Sequence, residues 1–152
     1  MTDEEDFDRG VRADIARAIR ERGAIPKVGE IARAQGRDRS EVEEAFARMI
    51  EGRVFIPRQR SLEILAYNPF CSEPTHFAVT AADRTWWAIC AWDALGVPAA
   101  LGVPGTIDAR CADCTNAIRI EVGVDGKASA PDHTVMQVAT PARDFWKNIY
   151  RT

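Results

Sequence analysis

No run of apolar residues approaches the roughly 18 that a membrane-spanning helix needs, and the acidic start Met1-Thr2-Asp3-Glu4-Glu5-Asp6 is unlike a signal peptide. Both absences predict a soluble, cytoplasmic protein with no membrane partner. No charge of one sign dominates. Lys and Arg number 20 against 23 Asp and Glu, a net charge of −3 that excludes a general field for polyanions. There is no internal repeat and no low-complexity stretch. Soft or proton-carrying side chains are scarce, at four cysteines and two histidines. No second Cys-x-x-Cys accompanies Cys111 and Cys114, which leaves half a zinc site with Cys71, Cys90, His76 and His133 as the remaining soft candidates. Four cysteines without a secretory signal belong to a reducing compartment, where thiols bind metal or react. What remains is 152 residues of ordinary globular composition, 46% apolar and 28% charged, enough for one sizeable core or a small helical domain docked on a larger one.

Hydrophobic spacing divides the chain near residue 60. Val11, Ile15, Ala18 and Ile19 recur at helical intervals up to Arg22-Gly23. Pro26 opens a second helix over Val28–Ala34, stopped by Gly36. Ser40 with Glu43 reads as a capping box for a third helix, whose inner stripe is Val42, Phe46, Met49 and Ile50. Gly52 ends it, and Val54-Phe55-Ile56 looks like a short strand. Three helices and a β-wing predict a winged-helix-like domain over 1–60. From Ser61 onward strand alternation and turns take over. Leu62 and Ile64, Phe77 and Val79, Ile107–Arg110, Ile118–Val122, and Met136 with Val138 read as strands, and Val124-Asp125-Gly126-Lys127 as a hairpin turn. Residues 142–150 read as a closing helix anchored by Phe145 and Trp146. The predicted fold class is therefore α+β: a helical domain over 1–60, then an antiparallel sheet with packed helices over 61–152.

The chemistry concentrates in Trp86-Trp87-Ala88-Ile89-Cys90-Ala91-Trp92-Asp93-Ala94-Leu95-Gly96, read as an apolar helical run ending at a glycine. Positions three apart share a helix face, so Cys90 and Asp93 can act on one small target. A thiolate is a soft nucleophile and soft-metal ligand, and a carboxyl can hold and deliver a proton. Taken singly, each residue also fits a bland role: an inert buried cysteine and a solvated or capping aspartate. The three tryptophans fit either an apolar pocket or core packing, with at least two expected in the core. Cys111-Ala112-Asp113-Cys114 has the shape of a zinc knuckle but supplies only two sulfur ligands, so a reversible dithiol or two cysteines in a tight turn fit as well. His76 reads as a loop residue bonded to its own turn and His133 as an exposed one.

Three ordered segments carry a family resemblance. Cys90-Ala91-Trp92-Asp93-Ala94-Leu95-Gly96-Val97-Pro98 resembles the Cys-x-x-Asp helix and Gly-x-Pro turn of the organomercurial (alkylmercury) lyases. Pro69-Phe70-Cys71-Ser72-Glu73-Pro74-Thr75-His76-Phe77-Ala78-Val79 is similar to that family's Pro-Phe-Ser-x-x-Pro-Thr-x-His-x-Val segment, with Cys71 in place of serine and the histidine one place early. Residues 141–152 resemble the stretch leading into the family's second catalytic cysteine, which would be expected about where this sequence stops, as in a truncated or divergent relative. The resemblance spans roughly residues 60–152, with a compatible helical domain before it. It implies protonolysis of a carbon–mercury bond. Cys90 would bind the mercury of R–Hg⁺, a second thiolate would polarise the C–Hg bond, and Asp93 would carry the proton to the leaving carbon. Cys71 is the first substitute for the second thiol, ahead of Cys111 and Cys114. No organic cofactor is implied. Hg²⁺ would stay on the sulfurs, Cys90, Cys71, Cys111 and Cys114 being the metal-binding set, until small-molecule thiols remove it. Zinc at Cys111 and Cys114 is a separate expectation.

Two rival functions stand beside that enzyme. One is a non-catalytic thiol-based metal-binding or regulatory protein on the same fold. The other is DNA binding through the helical domain, which the charges disfavour. Thirteen Lys or Arg in residues 1–60 are cancelled by thirteen Asp or Glu, and Glu41, Glu43 and Glu44 would face the phosphates.

Overall fold

The computed structural model describes residues 2–138, 140–147 and 149, which form two compact units, Met1–Glu73 and Pro74–Thr152. The first begins with α1 (Asp3–Arg22), α2 (Val28–Gln35) and α3 (Arg39–Glu51), each packed against the other two. Thr2 and Glu5 form a reciprocal capping box at the start of α1, and Gly23 ends the helix in the left-handed conformation. The inner stripes meet as their spacing predicts: Val11, Ile15 and Ile19 from α1, Val28 and Ile31 from α2, and Val42, Phe46 and Met49 from α3 are all buried. Phe46 and Phe55 pack edge to face with ring centres 5.2 Å apart.

Helix α3 is capped at Asp38, two positions before the Ser40–Glu43 box predicts. Glu41 reaches back 2.9 Å to the backbone N–H of Asp38, while Glu43 pairs with Arg39 four residues away at 2.7 Å. Asp38–Glu41 and Ser40–Glu43 offer the same three-residue spacing, and the earlier pair lengthens the helix while leaving Glu43 for an ion pair. After α3 come three short antiparallel strands, β1 (Ile56–Pro57), β2 (Ile64–Tyr67) and β3 (Phe70–Cys71). β2 and β3 join through a cis Asn68-Pro69 peptide. Because β2 and β3 pair back toward β1, the first compact unit runs to Glu73, beyond the change of character near residue 60.

The second unit is one antiparallel sheet covered by a helix. β4 (Phe77–Ala81) pairs with β5 (Arg84–Ala88) and with β6 (Gly105–Arg110), followed by β7 (Ala117–Val122) and β8 (Ala128–Ser129). Ala82 and Asp83 both take positive φ in the two-residue turn between β4 and β5, as the twist of a tight hairpin demands. Helix α4 (Ala91–Leu101) packs across β4, β5 and β6 and buries Ala94, Val97 and Pro98 over Val79, Ala88 and Ile107.

The run Trp86–Gly96 is therefore not one helix. Trp86 and Trp87 lie in β5, where Trp86 pairs with Val79 and donates its indole N–H to Ala81 O at 3.0 Å. Aromatic residues fit a pleated, half-buried surface, and pairing with β4 overrides the apparent helical stripe. Helix α4 passes through Gly96 and Pro98 and stops at Gly102, again left-handed. Trp86 alone of the three tryptophans is fully buried; Trp87 is half-buried and Trp92 is 71% exposed. Met136 and Val138 form no strand and are exposed, since nothing pairs with them among the described residues. The expected closing helix is a 3-10 segment over Ala142–Lys147, with Phe145 half-buried and Trp146 exposed; Tyr150 lies outside the described residues. No helix among the described residues is long and apolar enough to cross a membrane.

Candidate active site

Strand β5 ends at Ala88, and two residues later Cys90 occupies the N-cap of α4 in extended conformation (φ −148°, ψ 173°). A cysteine there does the work of a capping serine: the backbone N–H of Asp93 donates to Cys90 Sγ at 3.4 Å. The thiol in turn donates to Asp93 Oδ2 at 3.3 Å. The expected i, i+3 pair thus forms, through a cap rather than through a shared helical face. Asp93 is 6% exposed, one of two buried charged residues among those described.

Burial pushes the Cys90 thiol above its ordinary value, and the adjoining Asp93 carboxylate raises it further by charge and by accepting its proton. Backbone N–H groups of Asp93 and Trp92 pull the other way, as expected at a helix N-terminus. The site holds a thiol donating to a buried carboxyl group, with the Asp93 N–H already aimed at the sulfur. A soft cation that displaces the proton meets a thiolate supported by the helix, and the released proton has an acceptor in contact. The arrangement couples capture of a soft metal to storage of one proton.

Thr75 fixes the approach to this site and had no role assigned from sequence. Its hydroxyl donates to Ala88 O at 2.6 Å and accepts from the Phe77 N–H at 3.1 Å, tying the start of β4 to the end of β5. A Pro-Thr pair before a strand was its only signal. His76, beside it, is exposed.

Of the other cysteines, Cys71 is buried in β3 and its thiol is raised by burial, with the Glu73 carboxylate adding to the effect and backbone N–H groups opposing it. Cys111 and Cys114 lie in the turn between β6 and β7 and are half-exposed and exposed. Hydrogen bonds from the backbone N–H groups of Cys114 and Asp113, and from the Cys114 thiol, lower Cys111 below its ordinary value. No cluster of three or more His, Cys, Asp or Glu suited to a metal occurs among the described residues, so the knuckle has no further ligands there. His133 is exposed with φ at 65°.

The register of the sheet sets these groups in order. Phe77 pairs with Ala88 and Ala78 with Asp108, so the end of β5 leading to Cys90 and the β6–β7 turn with Cys111 and Cys114 share one end of the sheet. A depression of about 740 Å³ lies at the opposite end, among Ala81, Asp83, Pro104, Gly105, Glu121 and Lys127. No thiol or imidazole lines it.

The family model for alkylmercury lyase (MerB) matches residues 70–152, more than half of the chain and all four cysteines. The chain belongs to the alkylmercury lyase family. A solved structure described as the mercury-bound form of MerB2 is similar in fold, with a TM-score of 0.63 at 20% identity over 82% of this chain. This chain covers 60% of that one's length. No curated protein matches. As a member of the family the chain is alkylmercury-lyase-like, with an α+β fold.

Proposed function

We propose that the protein cleaves carbon–mercury bonds by protonolysis, with Cys90 as the mercury-binding thiolate and Asp93 as the proton carrier. The observation that carries this reading is the Cys90 Sγ–Asp93 Oδ2 hydrogen bond of 3.3 Å at the N-terminus of α4. An organomercurial R–Hg–X exchanges X⁻ for the Cys90 sulfur, and the thiol proton passes to Asp93. A second thiolate then adds to mercury and raises its electron density. The C–Hg electron pair takes the proton from Asp93, R–H leaves, and Hg²⁺ remains between two sulfurs until small-molecule thiols exchange it away. No organic cofactor enters the scheme. Cys71, which stands where the resembled family segment has serine, is our candidate for the second thiolate. Four free cysteines suit a reducing compartment such as the cytoplasm.

The deciding assay incubates the reduced protein with phenylmercury and excess small thiol and measures benzene. Release is expected, abolished in Cys90→Ser because an alcohol is a poor ligand for a soft metal. In Asp93→Asn it is expected to fall by about 10²–10⁴-fold, the usual worth of a positioned proton carrier. Undiminished turnover in Cys71→Ser would remove Cys71 from the mechanism. Tight mercury retention without benzene would make the chain a thiol-based metal-binding or regulatory member of its family.

A further inference from the structure

We propose that Cys111 and Cys114 form a second, solvent-facing mercury(II) site, a two-coordinate dithiolate that receives Hg²⁺ leaving Cys90. Its binding chemistry stands on the turn alone; its role as acceptor rests on the proposed function of Cys90.

The turn is closed before any metal arrives. Cys111 N–H donates to Asn116 O at 2.9 Å, and Thr115 N–H donates to Cys111 O at 3.0 Å. Arg110 reaches Thr115 O at 3.3 Å, and Thr115 takes a positive φ of 61°. This closed turn holds Cys111 and Cys114 three residues apart between β6 and β7, both reachable from solvent. Backbone donors aimed at a thiolate and a partner sulfur alongside are what a Cys-x-x-Cys knuckle offers a metal.

The donor count selects the cation. Zinc wants four ligands in a tetrahedron, and no third His, Cys, Asp or Glu joins the pair among the described residues. A soft ion satisfied by two sulfurs, such as Hg²⁺, fits. Two S–Hg bonds to Cys111 and Cys114 form as the two S–Hg bonds that held the ion break, the protons lost by the incoming thiols pass through solvent to the departing thiolates, and no electron changes hands. Position gives the site its use. It shares the Cys90 end of the sheet, with only β4 between β5 and β6, a lateral separation on the order of 10 Å from strand spacing. Cys114 is exposed and Cys111 half-exposed, so incoming thiols can reach the pair.

The test uses Hg²⁺ alone, in the full chain carrying Cys71→Ser and Cys90→Ser, with excess free cysteine as monothiol competitor. One equivalent of mercury is expected to survive gel filtration on a monomer. Adding Cys114→Ser should lower apparent affinity at least about 100-fold, the lower end of the gain from tethering a second ligand. In the unsubstituted chain, Hg²⁺ should protect Cys111 and Cys114 together from iodoacetamide, read by mass spectrometry. Retention no better than in a chain lacking all four thiols, an unaffected Cys114→Ser protein, or mercury-bridged dimers would each overturn the proposal. None of these outcomes bears on benzene release at Cys90, so the two readings fail separately.

Discussion

A protonated thiol resting on a buried carboxylate resists loss of its proton, because ionisation would set two negative charges side by side in a poorly solvated place. At the residue scale this predicts a response specific to Asp93. Asp93→Asn removes the charge that raises Cys90, so its thiol should ionise at lower pH. The folded-state shift is upward, so the protonated form persists to higher pH in the unsubstituted protein than in the variant. Iodoacetamide labelling of Cys90 across pH, followed by mass spectrometry, should show its half-rate point moving down in Asp93→Asn even though hydrocarbon release falls. Unmoved labelling would mean that Asp93 does not govern the thiol. In the same experiment Cys111 should label at lower pH than Cys71 or Cys90, since backbone donors lower it while burial raises the other two. The Cys90–Asp93 spacing was legible as a pair. Their burial and the capping geometry were not, because both depend on where β5 stops and α4 begins.

Helix α4 is held on the sheet by a close contact that tolerates no added atom. A Cβ on Gly105 would sit 2.8 Å from Pro98 Cγ and 3.1 Å from Thr80 O. At the element scale Gly105→Ala should cost about 1–3 kcal/mol, the usual penalty for overpacking, measured by denaturant unfolding. Combining it with Pro98→Ala should recover part of that loss, and strict additivity would sink the explanation. The same contact explains why Pro98 is accepted inside a helix, where it ordinarily costs about 3 kcal/mol: its ring is buried against the start of β6. The C-terminal ends of α1–α3 were legible to within a residue because glycine stops and apolar stripes agree; the start of α1 at Asp3, ahead of its apolar stripe, and the Asp38 cap of α3 were not. The second unit was less so. Trp86 and Trp87 belong to a strand only because β4 is there to pair with them, and Met136 and Val138 alternate without a partner.

At the scale of the whole molecule the charges cancel locally as well as in sum. Arg37 pairs with Glu41 at 3.1 Å, Arg39 with Glu43 at 2.7 Å, and Arg58 with Glu73. These three arginines are engaged by neighbouring carboxylates, and the net charge is −3. Fluorescence anisotropy with duplex DNA at low salt should show no saturable binding. A tight complex whose affinity falls steeply with salt would restore the regulatory reading of the helical unit.

What the chain settled without its fold were properties written in composition and short-range order: α+β class, three N-terminal helices, scarce soft ligands, and Cys90 with Asp93 three positions apart. Each depends on neighbours within a few residues, where spacing, capping and chemical type act directly. The rest needed tertiary structure, because it depends on residues far apart in sequence. Pairing with β4 makes a strand of Trp86 and Trp87 and sets Cys90 at a helix N-terminus. Packing buries Asp93, and antiparallel register brings the Cys111–Cys114 turn to the same end of the sheet as Cys90. Burial and register are set by partners across the sheet, and no window of sequence contains them.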